Sequence, residues 1–191
     1  MTALAHFDPY LPATLAPADL PAARHLALLA TITVASLPAL MLLYHWLGFD
    51  AAAIAVLCAG AVMACAPLLL RAGASVALAS NVFIGSLFVL KIWLAVHLGG
   101  LNAATTGWFI LCPLVAALLG GAREALVWSA LVFKAYFVLF LWSRFVAPFV
   151  PHPVTDPDVL AFGGQFGLLV LVTVIALCFC TDTTTPRRSK T

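Results

Sequence analysis

Charge is almost absent from long stretches of this chain. Between Arg24 and Arg71 the only charged side chain is Asp50, and between Arg71 and Arg123 the only one is Lys91. Between Glu124 and Arg144 there is only Lys134, and between Asp158 and Asp182 there is none. Runs of this length and polarity need lipid as their solvent. Apolar residues make up 64% of the 191 and charged residues 8%, with a mean hydropathy of +1.13. A soluble domain carries about 25% charged residues, so that class is excluded. Backbone groups that cannot bond to lipid must bond within their own segment, and the alternation of a membrane β-barrel is missing, which leaves helices. The expected fold is an all-α integral membrane bundle.

Punctuation by charged and turn-forming residues marks six apolar segments: His25 to Leu47, Ala51 to Leu70, Ser75 to Leu98, Ala104 to Leu119, Ala125 to Val146 and Val159 to Cys180. Most have the roughly 20 residues that cross a ~30 Å hydrocarbon core at 1.5 Å per residue. The connections around Gly48, Gly73, Gly99-Gly100 and Gly120 to Glu124 are short, so they join antiparallel neighbours. This predicts six transmembrane helices in three antiparallel hairpins, over residues 24–181. A Pro-rich cytoplasmic tail, 1–23, precedes them, and a short basic tail, 182–191, follows. The loop Ala147 to Asp158 holds Pro148, Pro151, Pro153 and Pro157, and is expected to be extended at the surface.

The cations Arg24, Arg71, Arg123, Arg187, Arg188 and Lys190 fall on the face that holds both termini, against only Arg144 near a helix end opposite. Short cytoplasmic segments collect Lys and Arg, so both termini are expected to be cytoplasmic in a multi-pass protein of the bacterial inner membrane. The N-terminal 22 residues carry no early cation and do not read as a signal peptide. Tails of this kind are poorly ordered unless something ties them down, and another subunit is the expected tether.

No catalytic constellation is visible: no nucleophile elbow, phosphate-cradling loop or H-E-x-x-H. No carboxylate lies within a span, which argues against a pump or cation-coupled transporter. A net charge of +2 with scattered cations gives no nucleic-acid footprint. Cys58, Cys65, Cys112, Cys178 and Cys180 read as apolar packing residues, not as a disulfide framework or metal site. No cofactor is required, although a lipid, quinone or pigment at a subunit contact has room.

Two lysines lie inside spans. Lys91 is near enough to the outer end of span three to snorkel outward. Lys134 is deeper in span five, with no carboxylate to pair with; it is expected to bond to carbonyls or hydroxyls or to become neutral, with the sharper alternative that it faces the bundle interior and binds an anionic or carbonyl-bearing ligand. His45 and His97, near outer ends, are expected to bond to a carbonyl or water, with a metal or pigment-magnesium ligand as the minority role. Trp46, Trp93, Trp108 and Trp142 read as an aromatic belt. Pro113 is expected to kink span four, opening a pocket between spans three, four and five whose mouth holds Asn102, Thr105 and Thr106. The candidate ligand-binding set is therefore Lys134, Lys91, His97, Asn102, Thr105 and Trp108. Gly163-x-x-x-Gly167 in span six fits a small-xxx-small packing contact.

The stretch Pro67 to Leu141 carries the basic turn Leu68-Leu69-Leu70-Arg71 and the turn His97-Leu98-Gly99-Gly100-Leu101-Asn102. Trp108, Pro113, Leu118-Leu119-Gly120-Gly121-Ala122-Arg123 and Trp128 follow. In these features it resembles the six-helix membrane sensory region at the front of many bacterial histidine kinases and membrane-anchored cyclases. The resemblance implies a sensor-like bundle. In those proteins a signalling helix and catalytic domain follow the sixth span, whereas here only Thr181 to Thr191 follow Cys180. Two functions are therefore expected. One is a non-catalytic accessory subunit acting through lateral contacts with membrane protein partners and lipid in a larger complex. The other is a stand-alone sensor that binds a small molecule and signals through a separate partner.

Overall fold

Local chemistry sets where the helices begin and end. In the computed structural model, which describes residues 3–13 and 15–183, they are α1 (Leu20–Trp46), α2 (Asp50–Arg71), α3 (Val76–His97), α4 (Leu111–Phe145) and α5 (Pro157–Thr183). The Ser75 hydroxyl accepts the Leu78 N–H at the start of α3. The Asp156 carboxylate accepts the N–H groups of Asp158 and Val159 at the start of α5, whose first residue is Pro157. Helices α1 and α2 end alike. Gly48 and Gly73 adopt left-handed φ of 75° and 87°, and the residue after each donates back to Tyr44 or Leu69. Short 3-10 turns, Ala3–Tyr10, Gly100–Asn102 and Thr106–Ile110, complete the chain.

Five helices, not the expected six, are long and apolar enough to cross a membrane. The expected fourth and fifth spans share one element because the linker between them is not a loop. Only Gly121, at φ 79° and ψ −167°, leaves helical geometry. The stretch before it, Thr106 to Gly120, is partly 3-10 and reaches only about 25 Å, short of a full crossing. Residues placed symmetrically about Gly121 nevertheless meet. The Tyr136 hydroxyl donates to the Thr106 carbonyl over 2.9 Å, the Phe109 and Tyr136 rings lie 5.4 Å apart, and Pro113 and Ser129 line one groove. Element α4 is thus two arms folded back at Gly121. Pro113 does not make the kink: it is the third residue of α4, where its missing N–H interrupts nothing.

Helix α3 is the hub, with Val76, Ala79, Phe83, Ile84, Leu87, Leu90, Leu94 and Ala95 all buried. Helix α2 packs along it on one side, and α1 packs in turn along α2. The outer arm of α4 leans on it through Trp128, whose indole N–H donates to the Asn81 side chain over 3.1 Å. Much of that arm is turned outward, with Leu126, Phe133, Phe137, Phe140 and Phe145 exposed.

The two ends of the bundle differ in charge. At one end the N-terminal segment is fastened by its own chain, which supplies the tether expected from another subunit. Arg24 grips the Asp8 carboxylate through two 2.7 Å hydrogen bonds, and Arg71 donates to the Tyr10 carbonyl over 2.9 Å. The Arg24 guanidinium holds Asp8 below its ordinary pKa. Gly120 and Glu124 sit at this end with Asp19 and Val76. At the other end the Pro-rich segment expected to be extended is a strap. His152 donates its N–H to the His97 carbonyl over 2.8 Å, and Thr155 donates to the Leu47 carbonyl over 3.1 Å. The basic tail expected over 182–191 lies outside the described residues beyond Thr183.

Candidate ligand cavity

An enclosed apolar cavity is present among the described residues, but not between spans three, four and five. It lies between α1, α2, α3, the turn Thr106–Ile110 and α5, and holds about 110 Å³. Its walls are aliphatic, from Ile32, Leu40 and Leu43 on α1 to Leu90 and Leu94 on α3 and Leu160 and Leu171 on α5. Three of the six candidate residues meet in it: Lys91, Thr105 and Trp108.

Lys91 does not snorkel. It is 6% exposed, and its ammonium lies 4.2 Å from the centre of the Trp108 ring, a cation–π contact. Among the described residues no acceptor is hydrogen-bonded to the ammonium and no carboxylate pairs with it. The helix directs it inward because Ile84, Leu87, Leu94 and Ala95, its neighbours at helical spacing, share the buried face of α3. Thr105, only 4% exposed, lines the same cavity, and its hydroxyl oxygen also has no hydrogen-bond partner.

Trp108 is a wall of the cavity and not part of an aromatic belt. Its indole N–H donates to the Gly164 carbonyl over 2.8 Å. The glycines of α5 make this seat possible: a Cβ on Gly167 would stand 3.0 Å from the Trp108 ring, and one on Gly163 would stand 3.4 Å from Leu43. The Gly163-x-x-x-Gly167 motif is therefore a bed for an indole and for α1, not a close approach of two helix backbones.

The other candidates lie elsewhere. Lys134 is exposed on the outer arm of α4, beside Leu131, Ala135 and Val138, so the expectation that it faces the interior fails. Its position along the span is deep, but its direction is outward. Asn102 is exposed. His97 donates from Nδ1 to the Trp93 carbonyl over 2.8 Å and stacks on that indole at 4.1 Å, the carbonyl bond expected of it. Phe49 stacks on His152 of the strap at 4.1 Å. No group of three or more His, Cys, Asp or Glu among the described residues could hold a metal ion.

Sequence reading missed the contribution of α1. Thr33 and Ser36 face the cavity, but each hydroxyl bonds back to its own helix, Thr33 to the Leu29 carbonyl and Ser36 to the Thr33 carbonyl. The signal was present as Thr33, Ser36, Leu40 and Leu43, a stripe at helical spacing with hydroxyls in an apolar run. Comparison with known protein families, curated proteins and solved structures finds no match to this chain.

Proposed function

We propose that this chain is a non-catalytic, multi-pass protein of the bacterial inner membrane that binds a small molecule in the Lys91 cavity and acts through a separate membrane partner. The observation that carries the reading is the buried Lys91 ammonium, which has an aromatic face beside it and no anion. A charge held within a membrane bundle costs several kcal/mol unless something offsets it, and such groups mark binding sites. The resemblance to histidine-kinase sensory regions agrees with a ligand-reading bundle. One of the two supports for the accessory-subunit reading is weaker, because the N-terminal segment is fastened within the chain by Arg24 and Arg71. What favours it still is the outward aromatic surface of α4, where Phe133 and Phe137 stack, as a lateral contact.

The proposed topology passes the chain from one end of the bundle to the other six times, the inner arm of α4 being too short to span the core by itself and ending beside Asp19 and Val76, with both termini cytoplasmic. The single-ended cluster of Arg24, Arg71 and Arg123 supports it. Reporter fusions at the two termini should report the same compartment; opposite compartments would remove it. For the binding reading, the full chain purified in mild detergent is examined by native mass spectrometry. A small molecule retained by wild type and released in Lys91→Met supports it. A bare chain that carries only a stoichiometric protein partner would give the accessory role precedence.

A further inference from the structure

We infer that the cavity takes a single-tailed amphiphile with a carboxylate head, which arrives from the bilayer between α1 and α5. The inference rests on the cavity being a binding site and adds the chemical class of what it holds. The polar inventory inside is small: one ammonium with its Trp108 face covered, the Thr105 hydroxyl without a partner, and the Tyr44 phenol near the end of α1. Thr33 and Ser36 do not add to it, because their hydroxyls are committed to α1 carbonyls. The single cation matches the single charge of a carboxylate, and the ammonium with the unpaired Thr105 O–H can serve its two oxygens. A phosphate monoester brings about two charges, and no second cation lines the cavity.

The rest of the lining fits a hydrocarbon tail. Ile32, Leu40, Leu43, Leu160 and Leu171 present methyl groups only. On the scale set by benzene in a 150 Å³ cavity, 110 Å³ encloses the head and roughly two or three carbons, so most of a longer tail must lie outside. The route out is between α1 and α5. Helix α5 rests on α4 and on the turn Thr106–Ile110 but makes almost no backbone contact with α1, and Gly163 adds no side chain of its own to the gap, where the flexible end of Leu43 is the contact. In the bilayer that gap faces acyl chains, so head and tail find matching surroundings without passing through water.

The test uses the full chain in nanodiscs and the quenching of tryptophan fluorescence by 2-bromodecanoate, whose bromine sits beside the carboxylate and so beside Trp108. Saturable quenching is expected, lost in Trp108→Phe, competed by decanoate and at least tenfold less by decanol or decyl phosphate. Lys91→Met should weaken it at least tenfold and Thr105→Val about threefold, with Lys134→Met unchanged. Because the competition series uses wild type alone, it stands even if a variant fails to fold. Equal competition by decanol, stronger competition by decyl phosphate, or unchanged affinity in a folded Lys91→Met overturns the carboxylate while leaving the cavity as a site. Quenching that no probe competes, or none at all in wild type, overturns the cavity reading itself.

Discussion

The wedge between α1, α3 and α5 and the outer arm of α4 each carry one lysine within a membrane-spanning helix, and they treat it in opposite ways. Lys91 is enclosed, stacked on Trp108 and surrounded by leucines. Lys134 stands on the outer surface among Leu131 and Val138, where only its own flexible stem can carry the ammonium toward a headgroup. Depth along a helix therefore does not decide whether a charge is inside. Direction around the helix does, and these helices are apolar on every side. The enclosed lysine has a fixed environment that a ligand can complete, whereas the outer one has only lipid.

The most damaging way to break the comparison is at the joint that folds the outer arm back. Gly121 combines a φ of 79° with a ψ of −167°, a region essentially closed to other residues. A Cβ there would meet nothing within 4 Å, so the cost is conformational and not steric. Gly121→Ala and Gly121→Val should each lose about 2–3 kcal/mol in an SDS titration, by nearly equal amounts. An alanine variant as stable as wild type would mean that the arms form one continuous helix.

The next effect is on the wall that separates the two regions. Gly167→Ala would place a Cβ 3.0–3.1 Å from two carbons of the Trp108 ring, and Trp108 is pinned to Gly164 by its N–H. A loss of about 1–2 kcal/mol is expected, with a shift in Trp108 emission. Gly163→Ala meets only the flexible end of Leu43, at 3.4 Å, and should change stability by less than about 0.5 kcal/mol. Equal losses for the two would show that α5 does not seat the indole.

How far the sequence could be read follows the same division. Boundaries were legible, because they depend on residues that act locally: glycine two positions past α1, α2 and α3, Ser75 before α3, and Asp156-Pro157 before α5. The break within α4 was legible as a Gly-Gly pair but not as a single hinge, since nothing local distinguishes Gly120 from Gly121. The membership of the site was half legible. Thr105 and Trp108 were found because the turn after α3 is polar, but Lys91 was read as snorkelling outward, and the interior alternative for Lys134 does not hold. Inward and outward faces of an all-apolar helix differ only in what packs against them, and that is set by the fold as a whole. The Arg24 clamp on Asp8 was not legible, because its partners are 16 residues apart with an irregular segment between them.

A smaller effect sharpens the lysine comparison directly. Without a ligand, Lys91 retains an uncompensated charge that the Trp108 ring offsets only in part. Lys91→Met fills similar volume without that charge and should raise stability by about 1 kcal/mol in ligand-free protein. Lys134→Met, on the lipid face, should change it by less than about 0.5 kcal/mol. Thermal or SDS unfolding of the two variants side by side checks this. A destabilised Lys91→Met in protein shown to be ligand-free would mean that the ammonium holds the bundle together as a structural element.

The smallest effect expected is at the charged end, where the N-terminal segment is fastened. The Arg24 guanidinium, through its hydrogen bonds, holds the Asp8 carboxyl below its ordinary value of 3.8. A carboxylate with a lowered folded-state pKa stabilises above its unfolded value, and loses that contribution as pH falls through the lowered one. The clamp should thus be intact through the neutral and mildly acidic range and weaken only below about pH 4. Because the pair is partly exposed, the loss should loosen the segment without unfolding the bundle. Hydrogen exchange at the Leu11 amide, which donates to the Asp8 carbonyl, reports it after correction for intrinsic rates. Asp8→Asn should lose at neutral pH the protection that wild type keeps until the pH falls below about 4. Equal protection of the two chains at neutral pH would mean that the Tyr10 carbonyl on Arg71 is the real fastening and that the Asp8 carboxylate is incidental.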